Sequence, residues 1–107
     1  VFYQGYRLTG SMLHQHSAAI NVQAVGSKLW IVASRAHAAV LRRFRYGSLP
    51  NVSTHEWLKD SVAFLIQNVP GICIFVQRAG DVVFVPHFHP HAVVNLGYTA
   101  GVSFSWW

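Results

Sequence analysis

Apolar and polar residues alternate over a first stretch of the chain, from about Ser11 to Ala33. The segments MLHQHS and INVQAV both alternate, Gly26-Ser27 has the composition of a turn, and KLWIVA continues in β-prone residues. Alternation with a period of two is typical of strands that expose one face and bury the other. This stretch therefore predicts strands joined by a tight turn.

The middle of the chain follows a different period. Ser53 is followed three residues later by Glu56, which is a capping-box pattern, and apolar residues then recur at helical spacing as far as Pro70-Gly71. Proline and glycine end helices. The pattern predicts one short helix, over about 53–69, as an insert between two strand-rich parts.

The last part of the chain again has the composition of strands. The segments ICIFVQ, VVFVP, HAVVNL and TAGVSFSWW are separated by the turns RAGD and GY. Short strands at close spacing, joined by turns that contain glycine, are typical of a sandwich or a small barrel. We therefore predict a mainly β fold with a helical insert.

Length and composition narrow this picture. A chain of 107 residues is expected to form one domain, and its start at Val1 and apolar end at Trp106-Trp107 suggest a domain taken from a longer protein. Hydrophobic residues make up 52% of the chain and charged ones 10%. The sequence contains no uninterrupted run of about 18 apolar residues, so a membrane-spanning helix is not expected. Cys73 is the single cysteine, so no disulfide is expected, which weakly favours a reducing compartment.

The chain is basic, with a formal net charge of +5. Four of its eight basic residues lie in one segment: Arg35, Arg42, Arg43 and Arg45. Such a cluster could contact nucleic acid or another anionic surface. The simpler interpretation, which we prefer, is the solvated face of a helix or loop.

Histidines provide the candidate chemistry. His14 and His16 are two residues apart, so on a strand both side chains would point to the same face. Two imidazoles on one face can share a metal ion with a third donor from a neighbouring strand. His37, among the arginines, and His55, in the first turn of the predicted helix, are better explained as surface or capping residues.

The third donor should come from the segment VPHFHPHAVVN. Pro86 and Pro90 both lack an amide proton, so residues 86–90 are expected to form a bend rather than a central strand. His87 and His89 would lie on that bend, at the rim of a site. His91 opens the next strand and is therefore predicted to join His14 and His16.

Two long segments resemble the JmjC domain, a cupin-like fold. GDVVFVPHFHPHAVVNL is similar to the segment around the second metal histidine of that family, and SMLHQHSAAINVQAVGSKLWIV is similar to its first metal strand and the Gly-x-Lys that follows. The resemblance covers nearly the whole chain in the right order. It implies a double-stranded β-helix over 1–107 and an oxygenase that uses iron(II) and 2-oxoglutarate.

The same resemblance assigns roles to single residues. His14 and His91 match the two metal histidines, and Lys28 matches the lysine that pairs with the distal carboxylate of 2-oxoglutarate. The remaining cofactor positions carried over are Ser11, Asn21 and Ser103. Considered without the family, Lys28 would be a lysine exposed at a turn.

The chain departs from the family pattern at His16, where the family has a carboxylate. Two hypotheses follow. In the first, the protein is an active oxygenase that hydroxylates a protein or peptide, or demethylates a lysine, for example in a histone, in the nucleus or the cytoplasm. In the second, it is a catalytically inactive metal-binding or interaction module.

Overall fold

A computed structural model describes residues 1–39, 41 and 53–106. Arg42, Arg43 and Arg45 of the basic cluster lie outside the described residues. A short 3-10 helix spans Arg35–His37 and one longer helix, α1, spans Thr54–Asn68. The described strands are β1 Phe2–Gly5, β2 Gly10–His14, β3 Ala18–Val25, β4 Lys28–Val32, β5 Cys73–Gln77, β6 Val82–Val85, β7 His91–Asn95 and β8 Thr99–Trp106.

The strands form two four-stranded antiparallel sheets. One has the order β1-β8-β3-β6 and the other the order β2-β7-β4-β5. Strands that are neighbours in a sheet come from distant parts of the sequence, and the chain crosses repeatedly from one sheet to the other. This is a cupin-like jelly roll, and the predicted mainly β fold with a helical insert is confirmed.

Strand β7 lies between β2 and β4, which explains the apolar run Ala92-Val93-Val94 at its centre. All five of its residues are buried, because β2 and β4 flank it and because both faces of its sheet are covered. On one face, Ala92 and Val94 pack with the apolar side of α1, including Trp57 and Leu65. On the other face, Val93 packs between the sheets with residues such as Val83 and Val85.

Helix α1 begins where the capping pattern predicts. The hydroxyl oxygen of Ser53 accepts a hydrogen bond from the backbone N–H of Glu56, at 3.2 Å. The backbone N–H of Val69 still donates to the carbonyl of Leu65, at 2.9 Å, and the helix ends there. Within the described residues, no helix is long and apolar enough to cross a membrane.

The alternation did not predict strand β1. Its four residues pair antiparallel with β8, from Phe2 opposite Val102 to Gly5 opposite Thr99. The strand is short and its residues alternate only between exposed and half-buried, so the local pattern is weak. It matters for the site because it brings Tyr3 into the space between the sheets.

One sheet also presents an apolar outer surface. In β3, Ile20 pairs with Phe84 on one side and with Phe104 on the other. Both phenylalanine side chains are largely exposed, as is Val82. The cavity between the two sheets is lined by Phe104 but not by Ile20, Val82 or Phe84.

Candidate metal centre

The structure brings His14, His16 and His91 together. One potential ligand atom from each imidazole lies within 4.8 Å of the other two, and the ring centroids are 4.2 to 5.2 Å apart. The pairing of β2 with β7 places His14 directly opposite His91. Residues 77 positions apart in the sequence therefore become neighbours through strand pairing.

His16 reaches this cluster in a different way from the predicted one. Strand β2 ends at His14, so His16 lies just beyond the strand rather than on it. The backbone carbonyl of His16 accepts a hydrogen bond from the N–H of Phe88, at 2.9 Å. The bend over residues 86–90, and not regular strand geometry, therefore fixes this part of the backbone.

Hydrogen bonds determine which ring nitrogen is available in two of the imidazoles. The Nδ1–H of His91 donates to the carbonyl of His89 at 2.8 Å, and the Nδ1–H of His16 donates to the carbonyl of Ser17 at 2.6 Å. A carbonyl only accepts, so in both rings Nδ1 carries the proton. In a neutral ring, Nε2 is then the nitrogen that can coordinate, which is the usual arrangement of metal-bound histidines.

His91 is held in the neutral form that a metal requires. Its side chain is only 3% exposed, and this burial lowers the pKa of His91 to about 4. The ring stacks on Trp30, with centroids 5.9 Å apart, and the indole N–H of Trp30 donates to Oε1 of Gln77 at 2.8 Å. Trp30 and Gln77 were not predicted as site residues. Trp30 could have been, because it lies two residues after Lys28 and so on the same face of β4.

The three imidazoles line a cavity of about 430 Å³ between the two sheets. Lys28 lines it too and is only 8% exposed. Its Nζ lies 3.5 Å from the centroid of the Tyr3 ring, a cation–π contact. Burial lowers the pKa of Lys28 to about 8, since the charged ammonium loses hydration that the ring does not fully replace.

Tyr3 belongs to a polar network on the wall of the cavity. Its hydroxyl donates to Oδ1 of Asn21 at 2.7 Å and also lies within hydrogen-bonding distance of Oε1 of Gln23. Burial raises the pKa of Tyr3, with the Asn21 contact acting in the opposite direction. Sequence reasoning missed Tyr3 because β1 was not predicted.

The other predicted cofactor residues also line the cavity. Ser11 contributes from β2, while Asn21 and Ser103 are directly paired across β3 and β8. His87 and His89 lie on the bend and do not line the cavity; Nδ1 of His87 instead accepts from the backbone N–H of Ala18, at 3.2 Å. The two remaining histidines lie elsewhere, His37 in the 3-10 helix and His55 in α1.

No carboxylate reaches the cavity. The chain has three, and all lie in described residues: Glu56 and Asp60 on α1, and Asp81 in the turn between β5 and β6. The donor set is therefore three imidazoles, and at least two of them present Nε2. Such a set suits a divalent first-row metal ion, iron(II) and zinc among them, with ligand positions left for other molecules.

The chain was also compared with known proteins. A family model described as JmjC domain, hydroxylase, matches residues 7–106. This match includes the three clustered histidines and Lys28. No curated protein gave a significant match to the chain.

Proposed function

The chain belongs to the JmjC family, and from that premise we propose that it is an oxygenase dependent on iron(II) and 2-oxoglutarate, acting on a side chain of a protein or peptide. The observation that carries this proposal is the arrangement of one cavity. Three converging imidazoles and one buried, cationic lysine line it together.

The imidazoles of His14, His16 and His91 would hold the metal. The Nδ1 hydrogen bonds of His16 and His91 to backbone carbonyls orient Nε2 as the ligand atom. Trp30 packs against the ring of His91 and restricts its rotation. These contacts come from the chain itself and hold the two rings in the orientation that a shared metal ion needs.

Lys28 would pair with the distal carboxylate of 2-oxoglutarate. Its ammonium is buried over an aromatic ring, and its lowered pKa indicates that it lacks a full counter-charge. A carboxylate at this position would supply that charge through a charge-assisted hydrogen bond. Ser11, Asn21 and Ser103 offer neutral hydrogen-bonding groups in the same cavity.

When bound, iron(II) and 2-oxoglutarate supply oxidation of a C–H bond by O2: one oxygen atom enters the C–H bond and the other enters succinate, as CO2 is released. Hydroxylation of a side chain and demethylation of an N-methylated lysine both begin with this reaction. The chain's own contribution is to position the metal and the cosubstrate in a cavity that is partly shielded from water.

The test is spectroscopic and chemical. Adding iron(II) and 2-oxoglutarate without oxygen should produce a weak visible charge-transfer band, and oxygen should then yield succinate in the presence of a substrate peptide. His91→Ala should lose the band through loss of a ligand, whereas His55→Ala, on α1, should retain it. Absence of both band and succinate in the wild-type protein would contradict the proposal.

A second candidate function follows from His16. The imidazole supplies no negative charge where the family has a carboxylate, which favours a catalytically inactive module that keeps its metal site. Such a module would bind a divalent metal in calorimetry without any response to 2-oxoglutarate. A partner that contacts Arg35 and the rest of the basic cluster would dissociate steeply as salt is raised.

A further inference from the structure

The charges around the cavity have one sign. Among the lining residues that the structure describes, Lys28 is a cation and none is an aspartate or glutamate. The three carboxylates of the chain lie on α1 and in the β5–β6 turn. The remaining lining side chains carry no formal charge, and the three imidazoles are neutral when they coordinate a metal.

His16 makes this imbalance persist when the site is loaded. A divalent metal and Lys28 together bring three positive charges, and 2-oxoglutarate brings two negative ones. A carboxylate in place of His16 would cancel the remaining charge, but an imidazole does not. One uncompensated positive charge is therefore left beside the metal, in a space between two sheets where electrostatic interactions are stronger than in water.

From this charge balance we propose that the substrate group received beside the metal is anionic, a carboxylate, and that a cationic group such as a methylated ammonium is rejected. This inference rests on the proposed function, since it concerns the same site with metal and 2-oxoglutarate bound. Of the two reactions open to that function, it selects hydroxylation of a C–H bond close to a carboxylate over demethylation of lysine.

The overall charge of the chain acts in the same direction. The net charge of +5 favours the approach of acidic rather than basic peptides. This long-range effect weakens with salt, because mobile ions screen exposed charges beyond about 10 Å. The charge beside the metal is screened less, so the preference for a carboxylate should persist at high salt.

Three small probes of similar size test the preference without any turnover. The protein is loaded with manganese(II) and saturating 2-oxoglutarate, and the NMR linewidths of the methyl protons of acetate, tert-butanol and tetramethylammonium are measured at high salt. A paramagnetic ion broadens the resonances only of molecules that come close to it. We expect acetate to be broadened most and tetramethylammonium least, with apparent affinities at least about tenfold apart.

A matched pair of variants ties the preference to residue 16. His16→Asp adds the missing negative charge in the cavity and should reduce the preference for acetate at least about fivefold. His55→Asp adds the same charge on α1, outside the cavity, and should leave the preference unchanged. The comparison of probes on the wild-type protein needs no variant, so it holds even if His16→Asp fails to fold.

The outcomes separate this inference from the function on which it rests. If manganese and 2-oxoglutarate do not bind, the proposed function fails and the inference with it. If both bind but tetramethylammonium is broadened as strongly as acetate, the inference alone is wrong. Acetate broadening that disappears once 2-oxoglutarate is saturating would also overturn it, because acetate would then only occupy the cosubstrate's position at Lys28.

Discussion

Replacing Lys28 by methionine should stabilise the metal-free protein at neutral pH and abolish its response to 2-oxoglutarate. The ammonium of Lys28 is buried in the cavity, and its neighbour there is the neutral ring of Tyr3. Methionine has a side chain of similar length without a charge, so it should fill the same space. The substitution therefore removes the cost of burying a cation without leaving a void.

The size of this effect follows from the pKa of Lys28. Burial lowers that pKa from 10.5 to about 8, and each unit corresponds to about 1.36 kcal/mol, so the buried charge costs at most about 3.4 kcal/mol. The cavity opens to water, which screens the charge, and methionine loses the cation–π contact with Tyr3. We therefore expect the substitution to raise the free energy of unfolding by about 1 to 2 kcal/mol at pH 7.

Urea denaturation between pH 7 and 9.5, with a chelator present, measures the effect. In wild-type protein the full cost of burying the charged Lys28 applies below pH 8. It decreases as the pH rises from 8 towards 10.5, because the folded protein then releases the Lys28 proton while the unfolded chain still holds it. Wild-type stability should therefore rise in this window, and that of Lys28→Met should lack this contribution.

Lys59→Met is the matched control, since Lys59 lies on the exposed side of α1. It should change the free energy of unfolding by no more than about 0.5 kcal/mol. In the metal-loaded protein, 2-oxoglutarate should raise the melting temperature of wild type and of Lys59→Met but not that of Lys28→Met. A destabilised Lys28→Met protein, or one that still responds to 2-oxoglutarate, would refute this reasoning.

Three further predictions concern the residues around the site. Because the pKa of His91 is lowered to about 4, the folded metal-free protein should lose stability as the pH drops below about 6.5, by about 2 kcal/mol at pH 5. In urea denaturation, His91→Asn should lack this part of the acid sensitivity. Gly10→Ala should destabilise the protein by more than about 3 kcal/mol or prevent folding, since the added Cβ would lie 1.9 Å from a carbonyl oxygen of β7. Gly97→Ala adds a Cβ with no atom within 4 Å and should be nearly neutral, and thermal melts of both variants measure the difference. Gln77→Leu should cost about 1 to 3 kcal/mol by leaving the indole N–H of Trp30 without its acceptor, and calorimetry should show weaker zinc binding.

The alternation of apolar and polar residues was sufficient to predict most strands, and the helix followed from its own signals. Ser53 and Glu56 determine where α1 begins because a cap is a contact between residues three apart. Strand β1 was not predicted because a short, half-exposed strand at the edge of a sheet shows little periodicity in its sequence. Its formation depends on β8, which lies almost a hundred residues further along the chain.

The sequence by itself determined which residues were available to the site: the histidines, Lys28, and the absence of a carboxylate near His14. It also indicated, through Pro86 and Pro90, that His91 would open a strand after a bend. These are local properties, because side-chain chemistry and the restrictions of proline act within a few residues.

Only the tertiary structure decided how those residues meet. The pairing of β2 with β7 places His14 opposite His91, and the bend holds His16 beside them. The tertiary structure also buries Lys28 against Tyr3 and packs Trp30 against His91. Such contacts join segments tens of residues apart, and no local pattern contains them, since burial and pKa depend on what the rest of the chain packs around each side chain.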